Sequence, residues 1–161
     1  MENFFDGPTM EIITRLFISL ILGFIIGTER VWAHKTAGMR TYALVAMGSA
    51  LFILISEEVI KLYINTPGID LDPMRIAAQV IVGIGFIGTG LIFTKDSKLM
   101  GLTTATGLWV SAGIGMACGF GLYKLAIIST FLTLFIFIVL WFLEEQFKKS
   151  KLFTKSNTDE H

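Results

Sequence analysis

The 161-residue sequence contains one cysteine, Cys118, three prolines and two histidines, and only 16% of its residues are charged. A single cysteine excludes a disulfide scaffold. The 13 Lys/Arg are balanced by 13 Asp/Glu, so the chain lacks the positive excess with which a nucleic-acid binder meets phosphates. It also lacks the acidic excess of a disordered tail. The charged share lies well below the roughly one quarter usual in soluble domains, and the mean hydropathy is +0.71. Scarcity of charge on this scale points to a lipid bilayer as the partner.

What is present is a series of uncharged runs: residues 41–56, 76–93, 99–123 and 125–143. A helix needs about 20 mostly apolar residues to cross the hydrocarbon layer. The run from 41 extends past Glu57 and Glu58 to about residue 64. An earlier segment, 10–28, carries Glu11 and Arg15 at i,i+4 spacing, which lets them pair near the headgroups. The expected fold is therefore an all-α integral membrane protein with five transmembrane helices, over about 10–28, 41–64, 73–93, 102–122 and 125–143. Residues 1–9 form an outer N-terminus and 144–161 a short cytoplasmic tail, amphipathic and frayed. A cleaved leader is disfavoured for the first span, since residues 1–9 hold Glu2 and Asp6 and no Lys or Arg.

Orientation follows from the basic residues. Nine Lys/Arg, including Arg30, Lys35, Arg40, Lys95 and Lys98, fall in the first loop, the third loop and the tail; three fall on the other side. This asymmetry places the N-terminus outside and the C-terminus in the cytoplasm. Glu2, Asp6, Glu57, Glu58, Asp70 and Asp72 then gather outside. Asp72-Pro73 reads as a cap and first position of the third helix, and Gly101 with Thr103 or Thr104 as the break and cap of the fourth.

Helices in lipid associate through close packing at small residues. The fourth span carries Gly107, Ser111, Gly115 and Gly119, the third Gly83, Gly85, Gly88 and Gly90, and the first Ser19, Gly23 and Gly27. These three are expected to form the tight bundle. The fifth, with Phe131, Phe135 and Phe137, is expected outside against lipid.

Chemical signatures are few. GIGFIG at 83–88 matches the dinucleotide pattern letter for letter, but that motif works between a strand and a helix N-terminus; here it lies inside an uncharged span. Cys118 has no neighbouring base, His34 sits in a basic loop, and no His/Cys cluster or intramembrane acidic cage offers a metal site. No catalytic residue, metal or cofactor is expected. Two polar groups stand out. One is Glu29, Arg30, Lys35, Arg40 and Thr41 on the cytoplasmic side. The other is Asp72, Arg75 and Gln79, which share a helix face at i, i+3, i+7. Gln79 lies inside the membrane and wants a hydrogen-bond partner.

The string Gly27-Thr-Glu29-Arg30 through Lys35-Thr-Ala37-Gly38-Met-Arg40-Thr41 resembles the first signature of the MgtC/SapB membrane family. Asp72-Pro73-Met-Arg75-Ile-Ala-Ala-Gln79 running into GIGFIGTG resembles the second, and Gly101-Leu-Thr-Thr-Ala105 through Trp109 to Gly121 the third. Thr36, Thr89 and Met100 depart from the residues common there. The resemblance implies a multi-pass bacterial membrane protein of the short SapB-like form, without a soluble C-terminal domain. It implies a role in magnesium homeostasis, stress adaptation and virulence, exerted by modulating other membrane proteins. The expected partners are lipid, further copies or other membrane proteins, with Thr103 and Thr104 among the matching residues. The alternative is a small oligomeric channel or carrier with polar mouths at Arg75/Gln79 and Glu29/Arg40.

Overall fold

Asp6 starts the first helix: its carboxylate accepts the Thr9 backbone N–H at 2.9 Å, and Pro8 occupies the first turn, where no intrahelical donor is required. The computed structural model describes residues 6–64, 66, 72–95 and 97–156. Glu2, Asp70 and His161 lie outside the described residues. Helix α1 runs Gly7–Trp32, α2 Met39–Tyr63, α3 Met74–Thr89, α4 Leu102–Gly119 and α5 Tyr123–Phe135. The last continues without a break through a π-helical segment, Ile136–Leu140, into α6, Trp141–Ser156. Residues 144–156 are thus helical and prolong the fifth span.

Among the described residues, three helical stretches are long and apolar enough to cross a membrane: Gly7–Trp32, Met39–Tyr63 and Tyr123–Phe147. Helix α3 is shorter. Helix α4 reaches 18 residues but is rich in Gly, Ala, Ser and Thr, and most of it is buried inside the protein. Its modest apolarity follows from that position, because it meets neighbouring helices more than lipid.

Between α3 and α4, where the sequence suggests a short loop over residues 94–101, two brief strands form. Phe93–Lys95 (β1) and Lys98–Met100 (β2) pair antiparallel, with Phe93 opposite Met100 and Lys95 opposite Lys98. Gly101 then turns the chain into α4 at φ +87°, and a Cβ added there would overlap the Leu91 carbonyl. A side chain there would be both strained and obstructed. The third helix begins one residue later than its sequence suggests, yet Asp72 still caps it by accepting the Met74 N–H at 2.9 Å.

Helix α4 touches α1, α2, α3 and α5, and α2 rather than α3 completes the tight bundle with α1 and α4. A methyl placed on Gly23 of α1 would lie 2.6 Å from the Tyr42 carbonyl oxygen and 2.8 Å from Ala46 Cβ. One on Gly119 of α4 would lie 2.8 Å from Ile53 Cβ, and one on Gly115 would overlap the Ala46 backbone. So Tyr42, Ala46, Ala50 and Ile53, all fully buried, form the stripe that α1 and α4 grip from two sides. Ser111 locks α4 to α2 by donating to the Tyr42 carbonyl at 3.1 Å. On α3, by contrast, a methyl on Gly83 or Gly85 would meet nothing within 4 Å, and one on Gly88 would make ordinary contact with Ala105 at 3.6 Å. Gly90 approaches only the carbonyls of its own last turn. Helix α3 therefore packs on α4 through Ala77, Ile84 and Gly88 and leaves its other glycines open.

Candidate functional site

Arg30 lies in the last turn of α1, where a cation meets the negative end of the helix dipole. That turn closes in a double-bonded cap: the Lys35 N–H donates to the Arg30 carbonyl and the His34 N–H to the Val31 carbonyl, both at 3.0 Å. His34 takes the left-handed position at φ +53°. The geometry turns the chain away and leaves the Arg30 side chain inside the protein, 3% exposed, beside Glu29 at 14%. Two guanidinium nitrogens, Nε and Nη2, meet the same Glu29 oxygen.

The guanidinium is covered by Phe137, whose ring centroid is 3.5 Å from Arg30 Cζ. Phe137 belongs to the π-helical segment, whose wider turn re-aims side chains relative to a regular helix. It is buried, which corrects its expected place against lipid; Phe131 and Phe135 do face outward. Gly107 makes room beneath, since a methyl there would run into the Tyr42 hydroxyl and lie 2.7 Å from Phe137 Cζ. The buried Tyr42 hydroxyl donates to the Thr104 carbonyl at 3.3 Å. One cluster thus unites Glu29, Arg30 and Thr104 from the sequence candidates with Tyr42 and Phe137, which motif reasoning missed. Lys35, Arg40 and Thr103 are exposed and Thr41 half-buried, outside this cluster.

A second charged cluster ties the opposite end of the bundle. Arg15 of α1 pairs with Glu11, donates to Glu57 of α2 at 2.8 Å and donates to the Gly119 carbonyl at the end of α4 at 2.6 Å. Its Nε is buried without a partner. Glu58 and Lys61 pair nearby at 2.7 Å. Three helix ends are held by one guanidinium, because an arginine offers five donors in a fixed fork.

Asp72, Arg75 and Gln79 are exposed and converge on neither cluster. They line grooves between α2 and α3. Asp72 and Arg75 border one of about 250 Å³ with Ser56 and Ile60. Gln79 borders another of about 590 Å³, walled by Leu44, Gly48, Phe52, Gly83 and Ile87. Gln79 makes no hydrogen bond within the described residues.

Cys118 is fully buried among apolar neighbours, and among the described residues no group of three or more His, Cys, Asp or Glu is placed to hold a metal. The residues brought together can hold helices in register, stack a cation on a ring and offer an unsatisfied amide to a groove.

The sequence profile described as the MgtC family matches residues 16–146. A protein of Escherichia coli K12 described as "Putative magnesium transporter YhiD" is 44% identical over 128 residues, covering 80% of this chain and 60% of that relative. "Protein MgtC" of Salmonella typhimurium LT2 is 45% identical over 122 residues, covering 76% and 49%. "Protein MgtC" of Brucella abortus is 43% identical over 112 residues, covering 70% and 44%. The chain thus spans about half the length of the curated relatives it matches. No solved structure matches it.

Proposed function

This chain belongs to the MgtC family, and from that premise we propose that it serves magnesium homeostasis in a bacterial cytoplasmic membrane by modulating other membrane proteins, without catalysing a reaction. The N-terminus lies outside and the α1–α2 loop in the cytoplasm, the arrangement that the basic residues favour. The description of the Escherichia coli relative as a putative magnesium transporter supports the link to magnesium.

The observation that carries the mode of action is Gln79. Gln79 borders the apolar groove between α2 and α3 with no hydrogen-bond partner among the described residues. An amide left unsatisfied in hydrocarbon costs several kcal/mol, roughly 2–7 by transfer scales. A helix of another membrane protein laid in the groove supplies the missing hydrogen bond, and Gly48 and Gly83 let its backbone come close.

Complementation tests the reading. A strain deleted for this protein, given the wild-type chain, should grow in low Mg²⁺, and Gln79→Leu should fail to restore growth at equal protein level. Full rescue by Gln79→Leu overturns the assignment of the groove.

A further inference from the structure

A further groove, of about 440 Å³, lies between α1 and α2 and shares only Leu44 with the groove at Gln79. Its walls are Leu20 and Phe24 from α1 and Met39, Ala43 and Met47 from α2, and its one charged border is Arg40. We propose that this groove binds an anionic phospholipid, with an acyl chain along the apolar walls and the headgroup phosphate on Arg40.

The chemistry of the two ends selects the ligand. From Met39 to Met47 the trough extends along about 12 Å of helix, enough to hold a stretch of acyl chain. The two methionines, with their soft and flexible thioethers, adapt to a chain that is itself flexible. Arg40 is the second residue of α2, the depth at which a spanning helix leaves the hydrocarbon and meets headgroups. Arg30 and Arg15 are neutralised by Glu29 and by Glu11 and Glu57. Arg40 has no ion pair among the described residues, is exposed, and faces no acid across the groove. Its charge is complementary to a phosphate carrying a net negative headgroup. Free phosphate would leave the apolar trough uncovered. A second copy related by a twofold axis along the membrane normal would set Arg40 against Arg40, so like charges disfavour that occupant.

The test uses the full chain in nanodiscs with spin-labelled phosphatidylglycerol or phosphatidylcholine as probe. The immobilised lipid component should favour phosphatidylglycerol by about fivefold, the effect of one basic residue at an anionic surface. The preference should shrink with added salt and vanish in Arg40→Gln. Met47→Trp, which fills the trough, should reduce the immobilised component for both lipids, and Arg75→Gln should leave the preference intact. Helicity by circular dichroism confirms that each variant is folded. Equal binding of the two lipids by the wild type, or a preference unchanged in Arg40→Gln, overturns the proposal. So does disulfide cross-linking between copies through Met47→Cys, which would show a second copy occupying the groove.

Discussion

The Arg30 guanidinium carbon lies 3.5 Å from the centroid of the Phe137 ring, joining the end of the first helix to the π-helical segment of the last. The ring covers one face of a cation that is otherwise satisfied by Glu29. Replacing Phe137 by Leu keeps an apolar filler but removes the ring quadrupole. The expected loss is about 2 kcal/mol, as for a desolvated cation–π pair. Phe135→Leu, at an outward position, should change stability by less than about 0.5 kcal/mol. Reversible unfolding in mixed micelles measures both.

The glycines of α4 and α3 should respond oppositely to added bulk. Gly115→Leu drives a side chain into the Ala46 backbone and should abolish a stable fold, because packed helices cannot separate by that much without losing their contact. Gly83→Leu enters open space and should give wild-type yield and thermal stability. Expression and melting in detergent distinguish the two.

Arg15 bridges three helices, and its replacement by Met strands the half-buried Glu57 and the Gly119 carbonyl. The cost should be about 1–3 kcal/mol. Glu57→Gln leaves an acceptor for Arg15 and should cost less than about 1 kcal/mol. Because the two side chains share one contact, the double variant should be less destabilised than the sum of the singles.

Asp6 gives the start of α1 a pH dependence. Hydrogen bonds from Thr9 hold its carboxyl below the ordinary value of 3.8. A folded pKa below the unfolded one means that the cap's contribution is complete above 3.8 and fades as the pH falls through the lowered value. The protection factor of the Thr9 amide, its exchange rate divided into that of an unstructured amide at the same pH, should therefore be constant at neutral pH and fall in strong acid. Asp6→Asn keeps an uncharged cap and should remove the pH dependence.

Much of this architecture is visible in the sequence because lipid imposes a simple rule on length and charge. The uncharged runs locate the helices, Asp72-Pro73 marks the start of α3, and the i,i+4 spacing of Glu11 and Arg15 yields a real ion pair. The close packing of α2 against α1 and α4 is harder to see. Its gripping stripe is Tyr42, Ala46, Ala50 and Ile53, and alanines at four-residue spacing look like ordinary apolar sequence beside the glycines of α3. Those glycines face open space, since a small residue permits close approach without requiring it. The burial of Arg30 was equally hidden. A cation at the end of a span reads as a topology signal, and only the fold brings the distant Phe137 over it. Residues 94–101 read as a short loop because three-residue strands are too brief for alternation to show.

The central claim, that Gln79 and its groove receive a helix of another membrane protein, is tested most directly by a photo-crosslinking side chain placed at Gly83 in the full chain, in cells grown in low Mg²⁺. The account predicts a defined covalent complex with one membrane protein, identifiable by mass spectrometry, that disappears when Gln79→Leu is added and never forms from the outward-facing Phe131. Adducts with lipid alone at Gly83, or the same protein captured equally from Phe131, would contradict it.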